Sequence, residues 1–370
     1  MRITRRHLQI SLAALWLLDG ALQCQPIMFS QEFTRKILVP AGHGQPSALA
    51  TPLHAIAALV SAHPALANGS FAIIQIALGL GILVRRFTRV ALTASIVWAL
   101  LVWIVGEGIG GLAAGATMLT GAPGAALLYA VIATLAWPTR DRQRDDRPSP
   151  LALPVWCTLW LTGAGLQLVA GNDTATSFTM MLRAAQSSSP GWIAAIDRHL
   201  ARFRLPGWAA AGVIALYVLV AIWALVPGWT RQLSVGIGVF IALVGWLLFQ
   251  GLGDLTSGHA TDPNSGPLIA LLALAVIGAA HPRDFVQHPR ESTARYEPLV
   301  RSGHREVQSM ENVVRAELKP ESPSEGSGLI HFWASGDNRE QLGKVKVVGS
   351  LKGMSTTFSI YTSVHSSPGP

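Results

Sequence analysis

Eight long apolar runs constrain this chain more strongly than any other feature of its sequence. They cover approximately residues 8–24, 71–84, 90–105, 123–137, 151–170, 208–226, 233–252 and 266–280. A helix needs about 20 apolar residues to cross the hydrocarbon core of a bilayer, and backbone surrounded by lipid must satisfy its hydrogen bonds internally. The sequence therefore predicts an all-α polytopic membrane protein with eight transmembrane helices.

The composition excludes several other classes of protein. Half of the chain is hydrophobic, only 13% is charged, and the mean hydropathy is +0.40, values that do not fit a soluble enzyme. Two cysteines provide no disulfide framework, zinc finger or thioredoxin-like motif. The net charge of +8 comes from short basic clusters beside apolar runs, which argues against nucleic acid as a partner. The expected partner is the lipid bilayer.

Basic residues near the ends of the runs predict the orientation of the chain in the plasma membrane. Eleven of them fall in short loops on one side: Arg2, Arg5, Arg6, Arg85, Arg86, Arg89, Arg140, Arg142, Arg144, Arg147 and Arg231. Six fall on the other side, in longer loops: Arg35, Lys36, Arg183, Arg198, Arg202 and Arg204. Since cytoplasmic loops carry the excess of Lys and Arg, both termini are predicted to be cytoplasmic.

An internal duplication divides the apolar region. Leu15, Trp16 and Leu17 recur as Leu159, Trp160 and Leu161, and Trp103, Gly108 and Gly110 recur as Trp246, Gly251 and Gly253. Order and spacing agree, so we predict two parallel four-helix repeats related by an axis near the membrane normal. The predicted domains are residues 1–138 for the first repeat, 139–150 for a cytoplasmic linker and 151–282 for the second repeat.

A family resemblance follows from the shape of one repeat. It has a long first outer loop, a second helix containing Gln75 and the sequence Gly79-Leu80-Gly81, and a Gly-Pro-type approach to its last helix. In these features the chain resembles the DoxX-like membrane proteins, here duplicated. The resemblance implies a noncatalytic subunit of a quinone-linked redox complex, with a membrane protein partner or a homo-oligomer. Gln75 stands where the resemblance implies an acidic residue, and no catalytic residue is carried over.

Ionisable residues at membrane depth are expensive to bury and are functional candidates. Asp19, Glu107 and Asp254 fit this description, and Gln250 is the counterpart of Glu107 in the second repeat. One interpretation is an outward-facing polar cavity between the repeats that binds a cation, a proton or a polar head group. The alternative is that these carboxylates accept hydrogen bonds from loop backbone or pair with arginines.

Three histidines in the first outer loop raise the question of a metal site. Neutral imidazole suits zinc or copper, and His43, His54 and His63 share this loop. Their spacing matches no local ligand motif, so unconnected loop histidines are the alternative. No cofactor is indicated by any motif.

Amphipathic stretches end both long outer loops. Ile56, Leu59 and Val60 lie at helical spacing in the first loop, and Trp192, Ile193 and Ile196 do so in the second. We expect both stretches to lie in the outer membrane interface.

The segment 283–370 differs in composition from the rest. It carries 11 basic and 10 acidic residues and contains a Pro-, Ser- and Gly-rich stretch at 320–328. This composition predicts a largely disordered cytoplasmic tail, although residues 329–333, 344–348 and 356–361 have strand-like patterns. Taken together, the sequence predicts a membrane protein for transport or small-ligand handling rather than an enzyme, with a redox-complex subunit or an assembly factor as alternatives.

Overall fold

The computed structural model describes residues 3–138, 147–169, 172–187, 189–203 and 206–280, together with three short strands after residue 315. The chain divides into two compact units, Met1–Phe285 and Val286–Pro370. All regular elements described in the first unit are helices. Arg2, Arg140, Arg142, Arg144 and Arg204, which entered the orientation prediction, lie outside the described residues.

The helices of the first unit follow the apolar runs closely. They are α1 (Arg5–Leu22), α2 (Gln31–Phe33), α3 (Ser47–Ala62), α4 (Pro64–Leu83), α5 (Thr88–Val105), α6 (Ala125–Leu135), α7 (Ala152–Leu168), α8 (Ala175–Ala185), α9 (Gly191–Leu200), α10 (Ala209–Leu225), α11 (Trp229–Leu248) and α12 (Ser265–Ala280). Each of the eight predicted runs falls on one of them. The predicted helical character is therefore confirmed for all eight runs.

Three of these helices are both long and apolar enough to cross a membrane, namely α4, α5 and α11. Much of their surface is apolar and exposed, with Ile73, Val97 and Phe240 each more than 60% accessible. An apolar periphery of this kind is compatible with a protein embedded in lipid. By contrast, α6 has only 11 residues, and most of them are buried.

Two groups of four helices form the core of the first unit. In the first helix group (α1, α4, α5 and α6), α1 packs on α4 and α5 packs on α6. In the second helix group (α7, α10, α11 and α12), α7 packs on α10 and α11 packs on α12. The groups meet through α12, which contacts α6 and α1 of the first helix group. The short helices α6 and α12 therefore lie at the centre, and the long apolar helices lie at the edge.

Side chains near the start of α1 bind carbonyl groups at the ends of other helices. Arg5 Nη1 donates to Trp137 O at 2.8 Å, and Gln9 Nε2 donates to Ala136 O at 2.9 Å, both just beyond α6. Arg6 Nη1 donates to Ile82 O in the last turn of α4 at 3.2 Å. Helix C-termini leave carbonyls without intrahelical partners, and cations stabilise that end of the helix dipole. This end of the first helix group, called the arginine end below, is thereby fixed.

A turn with left-handed backbone follows α5 at the opposite end. Residues 108 to 111 have φ values of 54°, 58°, 62° and 68°. Such backbone is costly for residues with a Cβ, and here a Cβ on Gly110 would lie 2.0 Å from Pro123 O. Glycine at this position lets the turn press against the start of α6.

The same arrangement follows α11. Residues 251 to 254 have φ values of 54°, 60°, 66° and 61°. Trp103 Nε1 donates to Pro123 O beside the first turn, and Trp246 Nε1 donates to Pro263 O beside the second, each at 2.7 Å. The sequence repeat pairs Trp103 with Trp246, Gly108 with Gly251 and Gly110 with Gly253.

A small antiparallel sheet occupies the second unit. Its order is β1 (Ala316–Leu318), β2 (Ser327–Trp333) and β3 (Gln341–Val348), with Glu317 opposite His331 and Ile330 opposite Val345. The patterns at 329–333 and 344–348 thus fall on strands, whereas the pattern at 356–361 lies outside the described residues. Disorder elsewhere in the tail stays a prediction.

Replacing Gly110 by alanine tests the packing of the first left-handed turn. We expect Gly110→Ala to lower the free energy of unfolding by about 1–3 kcal/mol, because the new methyl group meets backbone and the residue must keep a positive φ. Thermal unfolding in detergent measures the change. Gly236→Ala on α11 is the control, since a Cβ there meets no heavy atom within 4 Å. Equal stability of the two variants would contradict this account of the turn.

Candidate functional site

A cavity of about 120 Å³ lies within the first helix group, at the end opposite the arginine end. Its apolar wall includes the aromatic side chains Trp16, Phe71, Trp98 and Tyr129. Its polar lining consists of Asp19, Gln23, Gln75, Glu107, Thr261 and Asp262. A space of this size holds several water molecules or a small polar group. We call it the site cavity.

The loop between α1 and α4 covers the site cavity. This segment, residues 25–62, has its own cluster of buried apolar side chains, and we call it the roof: Met28, Phe33, Leu38, Ala57 and Val60. Ile56 and Val60 from α3 line the cavity, whereas Leu59 is 72% exposed. The amphipathic stretch predicted for the membrane interface therefore has one face on the cavity.

Hydrogen bonds attach the roof at several points. Gln45 Nε2 donates to Gly108 O in the left-handed turn at 2.7 Å. Gln25 Nε2 donates to Ala260 O at 3.1 Å, and Lys36 Nζ lies 3.2 Å from His259 Nε2, so the roof also contacts the loop between α11 and α12. The roof is therefore bonded to both helix groups.

Asp19 is buried in the site cavity, and its side-chain contacts show no structural role. It lies one turn after Trp16 on α1, and its side chain is 1% exposed. Its Oδ1 accepts no hydrogen bond from the described protein, although the Tyr129 hydroxyl lies beside the carboxyl group. Leaving a buried carboxyl oxygen unpaired costs free energy, so retention of an acid here calls for a functional explanation.

Glu107 has two different oxygens. Its Oε1 accepts a hydrogen bond from Ala126 N in the first turn of α6 at 2.9 Å. An acidic group at this position also interacts favourably with the positive end of the helix dipole. Its Oε2 has no hydrogen-bond partner among the described residues, and Glu107 lines the cavity. One oxygen therefore caps α6, and the other lies against Gly124 at the same helix end without a hydrogen bond of normal geometry.

Asp262 is a third acid of the site, and the sequence analysis missed it. It accepts hydrogen bonds from Thr261 Oγ1 at 2.8 Å and from Asn264 N at 2.7 Å. Burial raises its pKa, an effect that these two hydrogen bonds partly offset. It is close enough to interact electrostatically with both Asp19 and Glu107. Nothing in the sequence distinguishes it from other polar residues in its loop.

Six buried polar atoms around this one cavity lack a hydrogen bond of normal geometry within the described protein. The acceptors are Asp19 Oδ1, Gln23 Oε1, Gln75 Oε1 and Glu107 Oε2, and the groups that can donate are Trp98 Nε1 and Tyr129 OH. Of these, the Asp19 carboxyl group and the Tyr129 hydroxyl lie beside each other. More than nine-tenths of buried polar groups in native proteins are paired, so a cluster of exceptions requires an explanation. A ligand with hydrogen-bonding groups would provide one.

The other acid predicted for the site, Asp254, lies elsewhere. It is the last residue of the left-handed turn after α11 and is not part of the cavity wall. Gln250 is buried and used by the fold, since its Nε2 donates to Leu119 O at 3.0 Å and its Oε1 accepts from Ser265 Oγ at 3.1 Å. The structure thus brings together Asp19 and Glu107 but not Asp254 or Gln250.

The histidines do not form a metal site in this arrangement. His43, His54 and His63 are all exposed. Within the described ranges, no three His, Cys, Asp or Glu side chains are grouped so that they could hold a metal ion. The metal-site interpretation therefore gains no support.

The corresponding region of the second helix group is filled by side chains. Trp160, the sequence counterpart of Trp16, packs edge-on against Tyr217 with ring centroids 5.2 Å apart. Gly163 occupies the place of Asp19 in the repeat and lies against Tyr217 and Met118. The site cavity is therefore a feature of the first helix group, completed by Thr261 and Asp262, rather than a space midway between two equal halves.

Comparison with known proteins returns no match to this chain, whether from family models, curated proteins or solved structures. The resemblance to DoxX-like proteins stays a prediction.

The unequal structural roles of Asp19 and Glu107 lead to a stability prediction. We expect Glu107→Ala to lower the free energy of unfolding by about 1 kcal/mol, since the helix cap at Ala126 is lost. Asp19→Asn should leave stability unchanged or raise it, because a buried carboxyl is removed. Chemical or thermal unfolding in detergent compares the two. A larger loss for Asp19→Asn than for Glu107→Ala would assign Asp19 a structural role.

Asp262 gives a pH dependence with a definite sign. Its pKa is raised above the ordinary 3.8, so the folded state holds this proton more tightly than the unfolded state. Its contribution to stability therefore decreases as the pH rises from the unfolded pKa through the folded pKa. We expect the melting temperature of Asp262→Asn to fall less steeply above pH 4 than that of the unaltered protein. Superimposable pH profiles would contradict this assignment. Asp254→Asn is the matched control.

Proposed function

We propose that this chain is a multi-pass plasma-membrane protein, built from two tandem four-helix units, that binds a small organic cation in the site cavity. In this proposal all eight apolar helices cross or enter the bilayer. The arginine end and both termini are cytoplasmic, and the roof is on the outer side. Asp19, buried in the cavity with an unpaired carboxyl oxygen, is the observation on which the binding function rests.

The duplication is supported by backbone geometry as well as by sequence. Four consecutive residues after α5 and four after α11 have the same left-handed conformation at positions that the repeat pairs. Each turn is accompanied by a Trp indole that donates to a Pro carbonyl at 2.7 Å. Left-handed turns of this length are rare for L-amino acids, so their occurrence at matched positions favours a common origin.

The balance of hydrogen-bonding groups favours a cationic ligand. Four unpaired acceptors face two groups that can donate, and three carboxyl groups contribute to the wall. No Lys or Arg is among the residues that line the cavity. An ammonium group has three donors and no acceptor, and aromatic faces such as those of Trp16 and Trp98 also attract cations.

A metal ion fits this wall less well than an organic cation does. Small divalent cations need several oxygen or nitrogen ligands converging at about 2.0–2.6 Å. The described acids and histidines contain no group of three with that convergence. A larger organic cation can donate hydrogen bonds to acceptors that lie apart, so it does not require ligands that converge on one point.

A second candidate function is the one that the family resemblance implies. Trp98 Nε1 and Tyr129 OH could donate to the carbonyl oxygens of a quinone, which would make the chain a noncatalytic membrane subunit of a quinone-linked redox complex. Exposed apolar side chains on α4, α5 and α11 would then contact a membrane protein partner or a second copy of the chain.

Ligand-dependent thermal stability distinguishes these functions. We expect n-butylamine, titrated at constant ionic strength, to raise the melting temperature of the purified protein, since a ligand that binds only the folded state stabilises it. Asp19→Asn should weaken this effect by about ten-fold or more in concentration, equivalent to losing one charge-assisted hydrogen bond. Asp254→Asn, an acid outside the cavity, should not.

The possible results distinguish cation binding from the quinone-linked redox function. Stabilisation by a short-chain quinone but not by butylamine would support the redox-complex function and contradict cation binding. Stabilisation by neither would contradict both. An equal effect of Asp19→Asn and Asp254→Asn would place the amine outside the site cavity.

A further inference from the structure

An apolar groove runs along the exposed surface between α4 and α5. Its lining residues are Ile74, Leu78, Val90, Thr93, Ala94, Val97, Trp98 and Leu101. Val90 is 71% exposed and Val97 is 62% exposed, so the groove opens to the surroundings of the helices rather than to their core. In the proposed orientation these surroundings are lipid acyl chains.

The groove meets the site cavity at two shared residues. Trp98 and Leu101 line both spaces, and on α4 the neighbours Ile74 and Gln75 line the groove and the cavity respectively. The Trp98 ring packs against Phe71 with centroids 5.6 Å apart, and its Nε1 has no hydrogen-bond partner among the described residues. An apolar surface open to lipid therefore continues into a polar, acid-lined space.

The side of the cavity that faces away from the groove is covered by the roof. Phe33, Ile37 and Leu38 of the roof lie over it. The roof is attached through Gln45 to the turn after α5 and through Gln25 to the loop before α12. Access through the roof would require several of these contacts to break, whereas access between α4 and α5 would require the shared side chains Trp98 and Leu101 to move.

We propose that the ligand is a single-chain amphiphile with an amine head group, which reaches the site from the bilayer between α4 and α5. The ammonium head lies in the site cavity among Asp19, Gln75 and Glu107, and the alkyl chain lies in the groove. This inference rests on the proposed function and specifies its ligand. Phospholipids are disfavoured because no Lys or Arg lines the cavity to pair with the phosphate.

The test compares two amines that share a head group and differ in chain length. Native mass spectrometry of the full-length protein released from detergent micelles would measure the bound fraction of n-butylamine and of n-dodecylamine. The groove variant is Ala94→Trp, which places a large side chain on the exposed groove surface. Ala211→Trp on α10 is the matched control, an exposed alanine in the second helix group.

We expect Ala94→Trp to weaken dodecylamine binding by about ten-fold, because the indole occupies the groove in which the alkyl chain lies. Butylamine binding should not change, which also establishes that the variant is folded. Ala211→Trp should affect neither amine. Dodecanoate, with a similar chain and an anionic head, should bind at least ten-fold more weakly than dodecylamine.

The possible failures are distinguishable. If Ala94→Trp leaves dodecylamine binding unchanged while butylamine binds, the groove proposal is wrong and the proposed function stands. Binding of dodecanoate as tightly as dodecylamine would show adsorption of alkyl chains and would also refute the groove proposal. If neither amine binds the unaltered protein, the proposed function fails and the groove proposal fails with it.

Discussion

The hydrogen bond from Ala126 N to Glu107 Oε1 holds the cavity end of the first helix group together. The first backbone N–H groups of α6 have no intrahelical partner, so acceptors from other parts of the chain must supply their hydrogen bonds. Glu107 can serve as one because the left-handed turn after α5 carries the chain back over the start of α6, where Trp103 bonds to Pro123 O. The same requirement brings a carboxyl group, with its second oxygen unpaired, into the cavity wall.

The second helix group meets the same requirement with an amide in place of the acid. Gln250 stands in the place of Glu107, and both ends of its amide are hydrogen-bonded. Gly163 stands in the place of Asp19, and the space is filled by Tyr217 and Met118. The left-handed turn therefore occurs in both helix groups, whereas the groups differ in the side chains at the positions of Asp19 and Glu107.

The positions of the helices could be predicted from sequence because apolar runs of this length are strong signals. Their relation to a bilayer could not be predicted with the same precision, since α6 is only 11 residues long and lies inside the helix groups.

Asp19 and Glu107 stood out because acids are rare within or beside such runs. Asp262 did not stand out, because its burial depends on contacts with helices more than a hundred residues away in sequence. Asp254 stood out for the same reason, but it lies in the left-handed turn after α11 and is not part of the cavity wall. The sequence analysis also did not predict that the roof covers the cavity, because the contacts of a loop segment with distant parts of the chain leave no local sequence pattern.

The position of Asp262 ties the two helix groups to each other. The first group provides most of the cavity wall, and the loop before α12 contributes an acid to that wall and the backbone carbonyl to which Gln25 is bonded. A chain cut between the helix groups would therefore yield two fragments, neither of which carries the complete lining of the cavity.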